Sequence, residues 1–545
     1  MKRDLSQLAD RKFDVLIVGG GIHGAAAAWD AALRGLSVAL IERGDFGSGT
    51  SQNSLKIIHG GLRYLQDGNI SRIRTMSRER TTWMKIAPHL VHPLTCLMPT
   101  RPTISRNRLV MHAALTANDF LSFDRNRLAD PGKYLAGGSI ISQRELSNLL
   151  PGYDVRTTTG AAVWHDAQVH NTERLLLELI LSAVDAGAQV ANYVEATGFL
   201  KAKDKITGVQ ARDSSTGDVF DIRSEIVINC AGVGIDSLLG TISLRSEYAT
   251  SIAMNIIVDQ IWPDVAAGLP SRPAGGRKPQ ILFFVPWRDR TMIGTWHIPW
   301  KAAPNTFNLS NSIIEDFLNE INSVPPPRKL TLNDVQHVTW GFLPVNKKDA
   351  HRDEIRLTRD GVVIDHQREN GLPGLISVLG VKYTTARMVA QQAVDLAVKK
   401  LALNTKPCQT HVKSLRGGQI PYFEPYLKQA VANARRVVDE EIIEHLVYTY
   451  GTQYCQLEKY NPTRLQPSLS VTEAEVIHAV REEMATTLLD VILRRTELGS
   501  AGLPALNILH RCAELMAGEL GWTIERQAYE IDSVVQAYPF KPSNN

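Results

Sequence analysis

Several features that would assign this chain to a special class of protein are missing from its sequence. Its 545 residues contain five scattered cysteines and no C-x-x-C pair, so we expect neither a disulfide framework nor a metal site. No run of about 18 apolar residues is present, which argues against a transmembrane helix. Residues 1–12 lack the apolar core of a signal peptide. These absences predict a cytoplasmic protein.

A strong charge of either sign is also missing. The formal net charge of +4 is small for this length and argues against a dedicated nucleic-acid binder. The hydrophobic content of 44% and the charged content of 21% are those of a soluble globular protein. Because the chain is longer than one hydrophobic core usually supports, we expect two or three domains.

The stretch from Phe13 to Leu65 organises the chain. It begins with a buried-strand pattern (VLIV), followed by the turn GGGIHG, an alanine-rich helical segment and a second apolar run that Glu42 closes. Gly19, Gly21 and Gly24 form a G-x-G-x-x-G pattern between strand and helix. Such a unit is the fingerprint of a dinucleotide site.

Each residue of this fingerprint has a physical role. Gly19 allows the tight turn, Gly21 lets the backbone approach a pyrophosphate, and Gly24 lets the helix pack closely on the strand. The helix N-terminus offers unpaired N–H groups to the phosphates. Glu42, 18 residues after Gly24, is placed to accept hydrogen bonds from a ribose. NAD binding alone would also fit this unit, as would a simple glycine turn.

The segment after Glu42 is unusual. Residues 47–54 are small and polar, and residues 56–65 read KIIHGGLRYL, with basic and aromatic residues around two glycines. Taken alone, this is a glycine-rich loop with solvated basic residues. The pattern T-S-x-x-S-x-K-x-I-H-G-G-L-R-Y-L, however, closely resembles FAD-dependent glycerol-3-phosphate dehydrogenases of the D-amino-acid-oxidase-like flavoprotein group.

The resemblance implies that this loop wraps a flavin and that Arg63 and Tyr64 reach the substrate. Two later segments resemble the same family. The strand ending in Asn-Cys-Ala-Gly at 229–232 is the second flavoprotein pattern, although the family usually has Ala-Ala-Gly-Pro-Trp there. Residues 380–385, GVKYTT, resemble the family's G-G-K-x-T-T, with Val381 for the second glycine. Lys382 matches the family's second cationic substrate contact.

The cofactor predicted from these segments is FAD. The residues expected to contact it are Gly19, Gly21, Ile22, His23, Gly24, Glu42, Arg43, Thr50, Ser51, Ser54, His59, Gly60, Gly61, Ala231, Gly232, Gly380, Lys382, Tyr383 and Thr384. NAD binding alone would leave the segments at 50–65 and 377–387 without a purpose.

Two positions depart from the family at the expected substrate site. Leu343 stands where glycerol-phosphate enzymes carry an Arg that helps hold the phosphate, and Asn255 stands where they carry a His that is a candidate base. Neither residue can replace that chemistry, because leucine carries no charge and asparagine accepts no proton at neutral pH. We therefore expect Arg63, Tyr64 and Lys382 around the substrate, with His59 or a water held by Asn255 in the proton path.

The pattern of strands and helices predicts an α/β fold with three domains. A discontinuous Rossmann-like FAD-binding domain would comprise 1–95, 155–240 and 350–403. A substrate (cap) domain with an antiparallel sheet would comprise 96–154 and 241–349. Residues 404–545 read as an all-helical C-terminal domain, and their sequence resembles that domain of the same family.

Residues 66–90 are predicted to form a helix with a basic face, which includes Arg72, Arg74, Arg78, Arg80 and Lys85. Such a face fits an anionic membrane surface and equally a solvated helix. The family's link to the respiratory chain favours peripheral contact with the inner face of a membrane, and a quinone as electron acceptor. A homo-oligomer stays open.

The resemblance implies oxidation of glycerol 3-phosphate to dihydroxyacetone phosphate, by hydride transfer to flavin. Because of Leu343 and Asn255, one alternative is a flavoenzyme for a different polyol phosphate, alcohol or amine. A further alternative is a flavin-binding protein without turnover.

Overall fold

The protein folds into two β-sheets and a helical C-terminal region, seen here in a computed structural model. The structure describes residues 1–104, 106–272, 280–300, 306–324, 326–346, 361–434, 439–460 and 462–538. Its strands are β1 Lys12–Val18, β2 Val38–Ile41, β3 Ile57–Ile58, β4 Val91–Thr100, β5 Ser139–Ile141, β6 Gly160–Val169, β7 Gln189–Ala191, β8 Val194–Ala202, β9 Lys205–Asp213, β10 Val219–Asn229, β11 Tyr248–Asp259, β12 Ala266–Pro270, β13 Ile281–Trp287, β14 Arg290–Trp300, β15 Val335–Asn346, β16 Val362–Asp365 and β17 Leu375–Leu379.

Its helices are α1 Ser6–Ala9, α2 Ile22–Leu33, α3 Ile70–Ile86, α4 Arg108–Leu121, α5 Gln143–Leu149, α6 Thr172–Asp185, α7 Ile235–Gly240, α8 Asn311–Ser323, α9 His366–Asn370, α10 Ala386–Leu401, α11 Phe423–Ala434, α12 Glu440–Tyr450, α13 Glu473–Glu483, α14 Leu488–Asp490, α15 Leu506–Leu520 and α16 Ile524–Gln536. None in the described ranges is long and apolar enough to cross a membrane. The helix predicted over 66–90 is the shorter α3.

The first sheet has the order β16-β17-β10-β1-β2-β7, and β8 and β9 extend it beside β10. Strands β17, β10, β1, β2 and β7 run parallel. Strands β1 and β2 are continuous apolar runs because both faces of a parallel sheet are buried. Their carboxyl ends lie at one edge, where open α/β sheets bind ligands.

Helices α2, α6 and α10 pack together beside this sheet. The alanines of α2 are fully or almost fully buried, and their small side chains let neighbouring helices approach closely. Trp29 of α2 is also buried in the same core cluster. This packing fixes the N-terminus of α2, which begins directly after the glycine-rich turn.

The second sheet has the order β15-β11-β14-β13-β12-β4-β6-β3, with β5 beside β6. Its pairs are antiparallel except for β12 with β4. Strand β6 and all of β4 belong to this sheet. Residues 91–95 and 160–169, which the sequence places in the FAD-binding domain, thus pair within the second sheet, and the three domain boundaries stay predictions. Part of the predicted segment 350–403, up to residue 360, lies outside the described residues.

The C-terminal region is helical, as predicted, and buried ion pairs join it to the first domain. The carboxylate of Asp45 lies between the guanidinium groups of Arg494 and Arg495, at 2.6 and 2.7 Å. Arg174 of α6 forms a second buried pair with Glu483, at 2.5 Å. Both pairs connect residues more than 300 positions apart, and no sequence motif indicated them.

Candidate functional site

The predicted cofactor segments meet at one edge of the first sheet. Val18 of β1 lies beside Asn229 of β10 and Ile41 of β2, and Asn229 lies beside Ser377 of β17. The glycine-rich turn, Glu42, the segment at 230–232 and the segment at 380–385 all follow these strand ends. The structure therefore brings together four segments that are widely separated in sequence.

The turn after β1 admits only glycine at two positions. A Cβ atom at residue 24 would lie 1.9 Å from the carbonyl oxygen of Gly19. Gly19 has a φ of +107°, and a Cβ atom there would lie 2.5 Å from the carbonyl oxygen of Cys230. The backbone at this turn can thus approach a ligand closely.

Ser51 and Glu42 hold the turn in place. The Ser51 hydroxyl accepts a hydrogen bond from the Ile22 N–H at 3.0 Å. The Glu42 carboxylate accepts the N–H groups of Gly20 and Gly44, at 2.6 and 2.9 Å. Burial raises the pKa of Glu42, and these hydrogen bonds oppose the rise. Glu42 therefore braces the turn from the position predicted for the ribose.

The segment after β10 forms a short turn. The Ala231 N–H donates to the Asn229 side chain at 3.2 Å, and Gly232 has a φ of +58°. Arg43 is exposed, and its guanidinium lies near Gly234 of the same turn. Ala231, Gly232 and Arg43 are therefore neighbours at the sheet edge, and their contact with FAD stays a prediction.

His23 and Gly380 form a close contact where the glycine-rich turn meets the last cofactor segment. A Cβ atom at residue 380 would lie 1.9 Å from His23 Nε2. This nitrogen is buried and has no hydrogen-bond partner in the described part of the chain. Burial lowers the pKa of His23 to about 4, so its imidazole is neutral. An unsatisfied nitrogen beside a glycine cradle fits a bound dinucleotide.

The loop at 59–61 is tied to the segment at 380–385. The His59 N–H donates to the Thr384 hydroxyl at 3.1 Å, and the Trp83 indole N–H donates to the Thr384 carbonyl at 2.9 Å. Gly61 has a φ of +89°, and the Gly60 N–H donates to Asp166. The two segments that the resemblance assigns to the flavin are thus joined directly.

Three predicted cofactor residues direct their side chains to protein groups. The Thr50 hydroxyl donates to the Phe342 carbonyl at 2.9 Å, and the Tyr383 hydroxyl donates to the Thr172 carbonyl at 2.8 Å. The Ser54 hydroxyl accepts the N–H of residue 56. The contact of these three residues with FAD stays a prediction.

Arg63, Tyr64 and Lys382 lie next to this edge. The Lys382 ammonium donates to the Tyr64 hydroxyl and lies 4.5 Å from the centre of its ring. The Arg72 guanidinium lies 4.7 Å from the same ring. Arg63 is exposed. The structure thus brings Tyr64 and Lys382 together across more than 300 residues, and their contact with the substrate stays a prediction.

Asp166 is a residue of this site that the sequence did not indicate. Its carboxylate lies 3.5 Å from His59 Nδ1 and accepts hydrogen bonds from Arg80 and the Gly60 N–H. Burial would raise the pKa of Asp166, but the hydrogen bond with His59 and the charge of Arg80 outweigh it and hold the pKa far below its usual range. The carboxylate therefore stays charged beside the His59 imidazole.

Asn255 makes three hydrogen bonds to neighbouring protein groups. Its amide nitrogen donates to the Asn53 carbonyl and the Thr339 hydroxyl, both at 3.1 Å, and its oxygen accepts the Thr295 hydroxyl at 3.0 Å. Asn255 thus joins three strands of the second sheet to the loop at 50–54. The role of holding a catalytic water, which the sequence suggested, finds no support in these hydrogen bonds.

Leu343 lies on β15 opposite Ser251 of β11. Gly341, two residues earlier and on the same face, packs against Thr50 of the cofactor loop. Leu343 therefore belongs to the face of the second sheet that packs on the cofactor loop. Its place opposite the family's phosphate-binding Arg stays a prediction.

Comparisons with protein families agree with this arrangement. Residues 14–396 match the family described as FAD dependent oxidoreductase, and residues 408–527 match the C-terminal domain of alpha-glycerophosphate oxidase. The first match spans both sheets, and the second spans most of the helical region.

Individual proteins are similar along almost the whole chain. A glycerol-3-phosphate dehydrogenase of Synechocystis is 31% identical over 98% of this chain and 97% of its own. A mitochondrial glycerol-3-phosphate dehydrogenase of Mesocricetus auratus is 30% identical over 96% of this chain and 73% of its own. The structure of a glycerol-3-phosphate dehydrogenase from Bacillus halodurans complexed with FAD shares the fold, with a TM-score of 0.77, 22% identity, and coverage of 99% and 97%.

Proposed function

Since this chain belongs to the family of FAD-dependent glycerol-3-phosphate dehydrogenases, we propose that it oxidises glycerol 3-phosphate to dihydroxyacetone phosphate. The observation that carries the proposal is the contact between Lys382 and Tyr64 beside the cofactor edge, with Arg63 next to Tyr64 in the sequence. The names of the relatives support the substrate. The alternative of a flavin-binding protein without turnover has no support, because the chain belongs to an oxidoreductase family.

In the proposed reaction the substrate's carbinol carbon loses a hydride and its hydroxyl loses a proton. Bound FAD supplies the oxidant, which accepts the hydride. Arg63 and Lys382 would bind the phosphate. Because the Lys382 ammonium donates a hydrogen bond to the Tyr64 hydroxyl, these two side chains would hold each other in a fixed orientation. Holding the substrate in one pose contributes to the rate because the reacting atoms no longer have to find each other.

We propose that His59 accepts the proton. Its side chain is 40% exposed at the site, and Asp166 fixes the orientation of its ring. A charged carboxylate behind the imidazole stabilises the imidazolium that forms when the proton arrives. This is the role that an orienting acid plays for other catalytic histidines.

Replacing Asp166 with asparagine is expected to lower kcat about 100-fold or more, the lower part of the range for general acid–base groups. The amide is nearly the same size but cannot stabilise the imidazolium. The limiting rate of anaerobic flavin reduction measures the effect. Asp154→Asn, at an exposed carboxylate paired with Arg156, is the matched control. An Asp166→Asn rate within twofold of the control would contradict the role of His59.

Leu343 supports a second candidate function. A leucine at this place offers no charge to a phosphate, so the chain could act on a different polyol phosphate or on a less anionic alcohol or amine. Turnover of a panel of alcohols, amines and phosphorylated polyols separates the two candidates. Preference for an unphosphorylated compound over glycerol 3-phosphate would favour the second.

Anaerobic mixing with glycerol 3-phosphate tests the proposed function directly. Loss of the oxidised flavin absorbance together with formation of dihydroxyacetone phosphate would support it. Reoxidation of the reduced enzyme by a soluble quinone would support a quinone as electron acceptor.

We propose peripheral membrane contact through α4 rather than through α3. Of the basic residues predicted to form a face on α3, Arg80 is buried against Asp166 and Arg74 pairs with Asp124. On α4 only Leu115 is buried. The exposed positions Leu109 and Phe120 are three helical turns apart on one face, and exposed apolar surface beside basic residues fits an anionic lipid surface.

The double variant Leu109→Ser, Phe120→Ser is expected to bind vesicles of anionic phospholipid at least fivefold more weakly than the unchanged protein. Each change removes an apolar side chain whose burial in the membrane would contribute about 2 kcal/mol to the free energy of binding. Co-sedimentation measures the binding. Ile524→Ser, at an exposed apolar residue of α16, is the control. If the double variant and the unchanged protein bind the vesicles equally, α4 does not contact lipid. Light scattering would then show whether α4 joins two copies of the chain.

A further inference from the structure

The face of the second sheet that covers the cofactor edge carries a histidine that the proposed reaction does not yet use. His297 of β14 lies opposite Ala253 of β11, and Ala253 lies opposite Gly341 of β15. Side chains directly opposite each other share one face of a sheet. Because Thr50 packs against Gly341, this row faces the cofactor loop.

Two buried polar groups on this face lack partners. His297 Nδ1 and the Ser251 hydroxyl have no hydrogen-bond partner among the residues that the structure describes. Ser251 precedes Ala253 by two residues and therefore points to the same face, and its exposed fraction is only 1%. Buried polar groups in folded proteins are nearly always hydrogen-bonded. A molecule bound on this face would satisfy both groups.

The two polar side chains without partners on this face, His297 and Ser251, carry no charge at neutral pH. Burial, and then the nearby positive charge of Arg63, lower the pKa of His297 to about 4. At neutral pH the imidazole therefore presents one donor and one acceptor and carries no charge. Leu343 lies opposite Ser251 and adds an apolar surface. Such a face can bind a hydroxyl group, which both donates and accepts hydrogen bonds.

We propose that His297 and Ser251 hydrogen-bond to the uncharged hydroxyl end of the substrate, while Arg63 and Lys382 hold its anionic end. This inference rests on the proposed function and adds two residues to its substrate site, at the hydroxymethyl end of the substrate.

Two compounds that differ only at this end test the role of His297. Propane-1,2-diol 1-phosphate has a methyl group where glycerol 3-phosphate has a hydroxymethyl group. The unchanged enzyme is expected to favour glycerol 3-phosphate at least tenfold in kcat/KM, since a site built for a hydroxyl rejects the analogue that lacks it. In His297→Leu this preference is expected to fall below threefold. His297→Asn, whose amide both donates and accepts, is expected to restore part of it.

Binding of the two corresponding ketones provides a readout besides turnover. Dihydroxyacetone phosphate and hydroxyacetone phosphate are titrated into the oxidised holoenzyme, and the change in the flavin spectrum gives each Kd. His297→Leu is expected to weaken the first at least tenfold relative to the second. His337→Leu is the matched control, because His337 lies on the same sheet but packs against Tyr538, with ring centres 4.9 Å apart.

The outcomes separate this inference from the proposed function. If glycerol 3-phosphate reduces the flavin and His297→Leu keeps the full preference for it, the role of His297 is overturned while the proposed function stands. If glycerol 3-phosphate does not reduce the unchanged enzyme, the proposed function is lost. In that case the ketone titrations still test His297. If His297→Leu raises the Kd of both ketones by the same factor, as the control His337→Leu would, the role of His297 is overturned as well.

Discussion

Replacing Asp45 with alanine is expected to lower the free energy of unfolding by about 3–5 kcal/mol, the usual cost of removing one partner from a buried ion pair. Asp45 is buried, and its two carboxylate oxygens accept hydrogen bonds from Arg494, Arg495 and the Asn192 amide. The change would leave two buried guanidinium groups without their shared partner. Since those arginines belong to the C-terminal region, its attachment to the first domain should fail first.

The same pair gives a dependence on pH. Burial would raise the pKa of Asp45, but the charges of Arg495 and Arg494 outweigh it and hold the pKa far below its usual range. A carboxyl group whose pKa is lowered by folding contributes its full stability above its unfolded pKa of about 3.9. That contribution is lost as the pH falls below this value toward the folded pKa. The Asp45→Ala variant should therefore lose less stability on acidification than the unchanged protein.

Urea unfolding of the holoenzyme, followed by circular dichroism and flavin fluorescence, measures this effect. Asp154→Ala is the control, because Asp154 pairs with Arg156 at the surface and surface pairs contribute little. An Asp45→Ala midpoint equal to that of the control would show that the buried cluster does not hold the two regions together.

Gly24→Ala is expected to lower the affinity for FAD at least tenfold, which corresponds to about 1.4 kcal/mol. The new methyl group would lie 1.9 Å from the Gly19 carbonyl oxygen, and a backbone atom cannot move aside as a flexible side chain can. The turn would have to open, and the N–H groups at the start of α2 would no longer converge on the phosphates.

Flavin content of the purified protein and titration of the apoprotein with FAD measure this change. Gly518→Ala is the matched control, because a Cβ atom at this position of α15 meets no atom within 4 Å. The circular dichroism of both variants shows whether they fold. Equal FAD affinity of the two folded variants would contradict the assignment of the glycine-rich turn as the phosphate site.

The sequence predicted the cofactor side of the site better than the substrate side. The pattern from Gly19 to Glu42 has a fixed spacing within one strand–turn–helix unit. Its geometry is therefore local and can be predicted from the sequence alone. Lys382 was also predicted, although only through the resemblance, because its neighbour Tyr64 is more than 300 residues away. The structure shows how parallel strand ends bring these segments to one edge.

Asp166 and His297 were missed for a physical reason. Each lies beside a residue of a distant segment, Asp166 beside His59 and His297 opposite Ala253, and the register between distant strands cannot be inferred from one sequence. The hydrogen bonds of Asn255 could not be predicted for the same reason, since they go to three different segments. A polar residue within an otherwise apolar strand was the available signal, and it does not tell a structural role from a catalytic one.

Stopped-flow mixing of the anaerobic holoenzyme with glycerol 3-phosphate is the measurement that tests the central claim most directly. We expect the flavin to be reduced with a rate that saturates with substrate concentration and to yield one dihydroxyacetone phosphate for each flavin. Oxidised flavin that stays unchanged at saturating glycerol 3-phosphate, in an enzyme that chemical reductants bleach normally, would contradict the account.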